Sequence, residues 1–186
     1  MFIQTELTPN PMTLKFIPGR MVMKKGTADF PNKEKSENSP FAKRLFNVGG
    51  VEGVFFGSDF ITITKNIDSK WELMKPMILG AITDHYISKD EVMGSTNTNN
   101  NKDSKKEEDS EIVKQIKELI ETRVRPAVAM DGGDIVFKSF EDGIVYLHMQ
   151  GACSGCPSST ATLKMGIENM LKHYVPEVTE VKPVDV

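Results

Sequence analysis

The stretch GACSGCP at residues 151–157 contains both cysteines of the chain, Cys153 and Cys156. Two thiols three positions apart can hold a soft metal centre or close a small disulfide. Pro157, followed by two serines, is typical of the first turn of a helix. The cysteines are therefore predicted to lie in a loop at a helix N-terminus. The partial positive charge of that end is expected to favour thiolates and any anionic centre that they hold.

The residues on both sides of this loop predict a small domain with the element order α-β-β-loop-α-β. Apolar residues that recur every four positions predict an amphipathic helix: Ile112, Ile116, Ile120 and Val124. Pro126 is expected to end that helix. A turn at 131–133 then precedes strands at 134–140 and 144–150, the helix at 159–174 and a last strand at 178–184. On the second strand Val145, Leu147 and Met149 are predicted to share one face.

The first part of the chain predicts a second α+β domain over residues 1–87. Strands are expected at 1–7, 12–17, 51–56 and 60–65, and residues 20–38 are expected to be irregular. Ser39-Pro40 predicts a short helix that ends at Phe46. Ser69 and Glu72 form a capping-box pattern for a helix that begins near Lys70, and Pro76 predicts a kink or a restart within it.

Between these regions, residues 88–110 are dominated by Asn, Ser, Thr, Lys and acidic residues. Such a composition cannot bury enough apolar surface to offset the entropy of ordering. The predicted fold class is therefore α+β, with two small α+β domains, 1–87 and 111–186, joined by a flexible polar linker.

Charge, hydropathy and cysteine content argue against several classes of function. The net charge of −3 argues against a nucleic-acid partner, and no apolar run reaches the length of a membrane span. Two cysteines cannot cross-link a secreted scaffold, which indicates a reducing compartment. Residues 1–6 show neither a secretory nor a transit-peptide pattern. The expected location is the cytoplasm of a bacterium, with a mature mitochondrial protein as the less favoured alternative.

Counting ligands restricts the chemistry of the cysteines. A zinc site or an iron–sulfur cluster usually needs four ligands, and one chain supplies two sulfurs. His85 and His173 lie in distant segments, and His148 is expected to be a surface residue of its strand. A tetrathiolate centre would therefore be shared by two chains about a two-fold axis. The spacing alone leaves open a metal or cluster site, a redox dithiol and a structural pair.

Several motifs resemble a known family. Arg125-Pro126, the segment DGGD at 131–134 and the segment 151–159 resemble the C-terminal domain of NifU-like iron–sulfur cluster proteins. The N-terminal segment resembles the companion domain of the Nfu subfamily in Thr8-Pro9-Asn10-Pro11, the Ser39-Pro40 helix with Leu45-Phe46, residues 54–61, and Trp71 with Lys75-Pro76. The resemblance covers nearly the whole chain except the linker.

This resemblance implies a non-enzymatic carrier or scaffold. It would assemble a [4Fe–4S] cluster, or a [2Fe–2S] cluster, between two subunits and deliver it to apo-proteins. Cys153 and Cys156 are then the cluster ligands. The implied partners are a second copy in a homodimer, recipient apo iron–sulfur proteins and the upstream cluster assembly machinery. The N-terminal domain is expected to be an interaction module that helps to choose recipients.

Two alternatives remain beside this reading. The cysteine pair could serve a thiol–disulfide oxidoreductase, or a zinc site that only dimerises the protein. The segment 131–133 is expected to be a simple turn that needs positive φ rather than part of the site.

Overall fold

The computed structural model describes residues 2–94, 109–155 and 157–184, with side chains in the last range from Thr160 onward. The chain divides into two compact units, Met1–Thr96 and Asn97–Val186. Both units contain helices and a β-sheet, which confirms the predicted α+β class. Most of the predicted linker, residues 95–108, lies outside the described residues, so the domain boundaries at 87 and 111 stay predictions. Within the described residues, no helix combines the length and the apolar character that a membrane crossing requires.

The first unit packs two helices on a five-stranded antiparallel sheet. The sheet has the order β1-β2-β5-β4-β3, with strands β1 Gln4–Leu7, β2 Thr13–Ile17, β3 Ala28–Phe30, β4 Val51–Phe56 and β5 Ile61–Lys65. The helices are α1 Pro40–Phe46 and α2 Trp71–Ser88. The expectation of an irregular segment 20–38 is wrong in part, because β3 and a 3₁₀ turn, Glu34–Asn38, lie within it. Such short elements leave no periodic pattern in a sequence.

Helix α1 begins as its sequence predicts. The Ser39 hydroxyl accepts a hydrogen bond from the Ala42 backbone N–H at 3.1 Å, and Pro40 occupies the first turn. The same hydroxyl donates to the Val92 carbonyl, and the Gly94 N–H donates to the Asn38 carbonyl at 2.7 Å. The first unit therefore includes residues 89–94, which follow α2.

Helix α2 begins near Lys70, as predicted, but without the expected cap, and it passes through its proline. The expected capping box is not formed: Lys70 is the N-cap without a side-chain bond, and the Ser69 N–H donates to Asn66 Oδ1 at 2.8 Å. Pro76 lies inside one continuous helix. The loss of one backbone hydrogen bond at Pro76 is offset by a buried stripe on both sides of it: Met74, Ile78, Ile82 and His85.

His85 makes the stability of the first unit sensitive to acid. The ring is 2% exposed and stacks on Phe41 with the centroids 3.7 Å apart. Its Nδ1 has no hydrogen-bond partner among the described residues. Burial lowers the pKa of His85, Arg44 lowers it further, and Asp90 opposes them. The neutral ring is therefore the form that the folded unit holds.

We expect this stabilisation to be complete above the ordinary imidazole pKa of about 6.5 and to be lost as the pH falls toward the lower folded value. Replacing His85 with phenylalanine, which can still stack on Phe41, should flatten that dependence. Urea unfolding at pH 7 and pH 5, followed by the fluorescence of the single Trp71, tests the prediction. Equal loss of stability in both proteins would contradict it.

The second unit has the predicted order α-β-β-loop-α-β. Its helices are α3 Glu111–Leu119, α4 Arg125–Met130 and α5 Pro157–Tyr174, and its strands are β6 Gly133–Glu141, β7 Ile144–Gly151 and β8 Glu180–Pro183. Strand β7 is central, antiparallel to β6 and parallel to β8. Val145, Leu147 and Met149 are buried on one face of β7, as the alternating pattern predicts.

The expected helix stop at Pro126 is wrong. A π-helical turn, Ile120–Val124, joins α3 to α4, and the helical run ends only at Met130. In the π turn the Arg125 N–H donates to the Ile120 carbonyl, five residues earlier. Pro126 then occupies the first turn of α4, where its missing N–H costs little because the regular hydrogen-bond ladder is already interrupted. Arg125 and Val128 are therefore part of the helical run.

Candidate metal centre

The cysteine loop connects the end of β7 to the start of α5. Gly151 and Gly155, on either side of Cys153, have φ values of 62° and 74°, which residues other than glycine rarely adopt. The Ala152 N–H donates to the Gly132 carbonyl at 3.2 Å, and the Ser154 N–H donates to the Gly151 carbonyl at 3.1 Å. The loop is therefore bent at two glycines and fastened to the turn before β6. Cys156 lies outside the described residues, so its role as a ligand stays a prediction.

Cys153 faces inward against a glycine. The residue is 5% exposed and belongs to the apolar core of the unit. A Cβ atom on Gly133 would collide with Cys153 Sγ, and it would lie 2.8 Å from the Gln150 carbonyl oxygen and 3.0 Å from the Cys153 nitrogen. Gly133 is thus a position where the thiol and two backbone atoms leave no room for a side chain.

The segment 131–133 is more than the simple turn expected from its sequence. Gly132 does have a φ of 84°, which agrees with that expectation. Gly133 is required for a different reason, its close approach to the thiol. Two adjacent glycines in a sequence do not distinguish these two needs, so only the fold relates Gly133 to the cysteine.

Replacing Gly133 with alanine is expected to displace the cysteine loop. The new methyl group meets backbone as well as sulfur, so a rotation of the thiol alone cannot accommodate it. We expect a loss of roughly 1–3 kcal/mol in the unfolding free energy of the second unit. Gly166→Ala, on α5 with open space at the Cβ position, is the matched control. Far-UV circular dichroism during urea unfolding measures both. A Gly133→Ala protein as stable as the control would contradict this packing.

An ion pair between Arg125 and Asp134 stabilises the end of the turn at 131–133. Arg125 Nε and Nη2 donate to Asp134 Oδ1 and Oδ2 at 2.8 and 2.7 Å, and Arg125 Nη1 donates to Glu121 Oε1 at 2.7 Å. Asp134 is 3% exposed and also accepts the Ile135 N–H at 2.8 Å. The hydrogen bonds to Asp134 raise the pKa of Arg125 further above its ordinary range. Both residues belong to the motifs quoted above, but their pairing could not be read from a spacing of nine residues.

The charge state of Cys153 differs from the expectation. Burial raises the pKa of the Cys153 thiol to about 12, and the nearby carboxylates of Asp131 and Asp134 act in the same direction. Burial and the two carboxylates thus oppose the thiolate, which the sequence was expected to favour at a helix N-terminus. In this state the thiol is protonated at neutral pH, and binding a metal there must release its proton.

The histidines do not complete a site. His148 Nδ1 lies 3.1 Å from the Val184 carbonyl oxygen, and His173 packs edge-on against Tyr174. Across residues 2–94, 109–155 and 157–184, no three side chains of His, Cys, Asp or Glu are grouped to hold a metal ion. The described part of one chain thus offers the thiol of Cys153 and no ready set of further ligands.

Both units match family models. Residues 3–89 match the family "Scaffold protein Nfu/NifU N terminal", and residues 116–182 match the family "NifU-like domain". A solution NMR structure of a NifU-like protein from Saccharomyces cerevisiae is 27% identical with a TM-score of 0.46, covering 52% of this chain and 87% of that one.

Relatives that match nearly the whole of this chain have higher identities. "NifU-like protein 4, mitochondrial" of Arabidopsis thaliana is 55% identical over 185 residues, which cover 98% of this chain and 65% of that protein. "NFU1 iron-sulfur cluster scaffold homolog, mitochondrial" of Homo sapiens is 51% identical, with 99% of this chain and 72% of that protein covered. This chain thus spans about two thirds of the length of the plant relative.

The names of these relatives contradict the expected location. The plant and human proteins are both named mitochondrial, so the expectation of a bacterial cytoplasm is wrong. The composition of the folded units could not reveal this. A reducing compartment is all that two cysteines at this spacing indicate, and the mitochondrial matrix meets that condition as well as the cytoplasm does.

Proposed function

Because this chain belongs to the Nfu-type NifU-like proteins, with the N- and C-terminal domains of that family, we propose that it is an iron–sulfur cluster scaffold. It holds a [4Fe–4S] cluster between two copies through Cys153 and Cys156 and passes it to apo-proteins. The cluster is cargo rather than a resident cofactor. The observation that carries the proposal is the Cys153 thiol, held against Gly133 in a loop that lacks a full ligand set among the described residues of one chain.

The donor chemistry fits the cargo. Thiolate sulfur is the usual ligand of iron–sulfur clusters, and four thiolates are the usual number for both the [2Fe–2S] and the [4Fe–4S] types. Two chains with two cysteines each supply that number. A cluster held where two chains meet can leave by ligand exchange with the thiolates of an acceptor, which a delivery role requires.

The same geometry disfavours the dithiol oxidoreductase. Such an enzyme attacks through an accessible thiolate of lowered pKa. Cys153 is buried, and its thiol pKa is raised instead. We therefore propose a binding and transfer role without catalysis.

The setting follows from the family. We propose that the protein works in the mitochondrion, because the plant and human relatives are named mitochondrial. Its partners are recipient apo iron–sulfur proteins and the machinery that supplies the cluster. The first unit, in which we identify no ligand set among the described residues, serves to recognise recipients.

Anaerobic reconstitution of the full chain with ferrous iron and sulfide tests the proposal. We expect about four irons per pair of chains, a brown protein and the mass of a dimer, since four thiolates are needed for each cluster. Iron and acid-labile sulfide analysis, with native mass spectrometry, gives these quantities. Metal held by a single chain, or one zinc per two chains without sulfide after oxygen-free purification, would refute it.

A further inference from the structure

The exposed side of α5 changes character along its length. In its first half, among the side chains described from Thr160 onward, the exposed ones are uncharged: Ala161, Thr162, Met165 and Gly166. In its second half they are mainly polar or charged, with Asn169, Lys172 and His173. Met165 is 64% exposed, and the position of a Gly166 Cβ is open. The half of the helix that follows the cysteine loop thus presents a neutral, partly apolar surface.

The charges beside this surface are paired within the chain. Lys164 Nζ lies 3.4 Å from Glu180 Oε1. Glu168 accepts a hydrogen bond from Lys172 Nζ at 2.7 Å and another from the Val181 N–H at 3.1 Å. The ion pairs direct these four side chains toward one another and toward β8. A partner on the neutral surface would therefore meet little uncompensated charge.

A second exposed methionine precedes the turn to which the cysteine loop is fastened. Met130, at the end of α4, is 76% exposed. It stands two residues before Gly132, whose carbonyl accepts the Ala152 N–H next to Cys153. Methionine adapts to irregular surfaces and is enriched in protein interfaces. Helix α4, before the turn to which the loop is fastened, and helix α5, after the loop, therefore each expose a methionine. We name Met130, Ala161, Met165 and Gly166 the methionine rim.

We propose that a second copy of this chain covers the methionine rim when the cluster is held. The inference deepens the proposed function and rests on it. A centre shared by two cysteine loops places a two-fold axis at the loops, and α5 starts immediately after its loop. Met165, eight residues into α5, lies about 12 Å along the helix from that start. The first turns of α5 are therefore the surface next to the axis.

Symmetry also explains why this surface is neutral. Only residues close to a two-fold axis meet their own copies, and a charge at such a position would meet like charge. Uncharged side chains avoid that repulsion and exclude water around the centre. The more polar second half of α5 lies farther from the axis and can remain solvated.

Met165→Glu tests the inference, with Met21→Glu as the matched control. Met21 belongs to the first unit and is 66% exposed, so both variants add one carboxylate at an equally exposed methionine. After anaerobic reconstitution, we expect the Met165→Glu dimer to dissociate about 10- to 100-fold more readily than wild type because of repulsion between the two carboxylates. The Met21→Glu protein should match wild type. Analytical ultracentrifugation under nitrogen measures the dissociation.

Charge complementation separates an interface effect from misfolding. Mixing Met165→Glu with Met165→Lys protein before reconstitution should restore a cluster-loaded heterodimer, which native mass spectrometry resolves by mass. If Met165→Glu fails to fold, as judged by far-UV circular dichroism, the same experiment is made with Ala161→Glu and Ala161→Lys.

The outcomes distinguish the inference from the function that it deepens. A wild-type cluster dimer with Met165 variants of unchanged affinity overturns the inference and leaves the scaffold proposal intact. A wild-type protein that holds its cluster as a monomer overturns both. Weakened single variants together with heterodimer rescue support the inference.

Discussion

Cys153→Ser protein is expected to leave anaerobic reconstitution with almost no bound iron. Serine keeps the size of the side chain but replaces a soft sulfur donor by a hard oxygen, and each shared cluster would lose two of its four thiolates at once. Iron should fall from about two per chain to near zero, and the visible absorption of the cluster should vanish. Iron and sulfide analysis after desalting measures both quantities.

The control for this experiment is Ser154→Ala, an exposed neighbour in the same loop. It should retain the full iron content and thereby show that a change in the loop is not sufficient to abolish iron binding. Circular dichroism must show that the Cys153→Ser protein is folded, because the residue also belongs to the core. A folded Cys153→Ser protein with a complete cluster would remove the basis of the proposed function.

Arg125→Met is expected to have the largest effect on stability. It removes the guanidinium that donates two hydrogen bonds to the Asp134 carboxylate, whose side chain is 5% exposed. Removing one partner of a largely buried ion pair costs about 3–5 kcal/mol, which is a large part of the stability of a small domain. Far-UV circular dichroism during urea unfolding should show an early loss of the second unit. Trp71 fluorescence, which reports on the first unit, should show an unchanged transition.

Two further variants identify the cause. Arg123→Met removes an exposed arginine two positions earlier, whose guanidinium lies 5.0 Å from the centre of the Tyr174 ring, and should cost less than about 1 kcal/mol. The double variant Arg125→Met with Asp134→Leu should recover part of the loss, because no buried charge remains. If the double variant is as unstable as the sum of its parts, the ion pair is not the reason.

Local sequence rules foresaw the elements that depend on local patterns. The alternation of Val145, Leu147 and Met149 and the capping Ser39 both predicted what the structure shows. The expected helix stop at Pro126 failed because a π turn already interrupts the hydrogen-bond ladder there, so the missing N–H costs little and the buried stripe from Ile116 to Val128 continues past the proline. At Pro76 the expected restart did not occur, because buried residues on both sides of the proline stabilise one continuous helix.

The candidate site also combines features that the sequence predicts with features that only the fold reveals. The two cysteines and their loop stand out in the sequence, as does their shortage of ligands. The fit of Gly133 to the thiol and the pairing of Arg125 with Asp134 depend on residues that meet only after folding. The protonated state of Cys153 depends on burial, which the helix-terminus rule does not include.

The π turn at Ile120–Val124 also sets the angular phase of the helical run. Ile116, Ile120, Val124 and Val128 are all buried, although steps of four residues advance about 40° beyond a full turn in a regular α-helix, or about 120° over three steps. The wider turn takes up part of that drift, and all four side chains lie in one apolar core. Removing a single residue there would rotate Arg125 by about 100° around the axis and swing its guanidinium away from the carboxylate. An irregularity of the backbone thus keeps both ends of the helical run in the same apolar core.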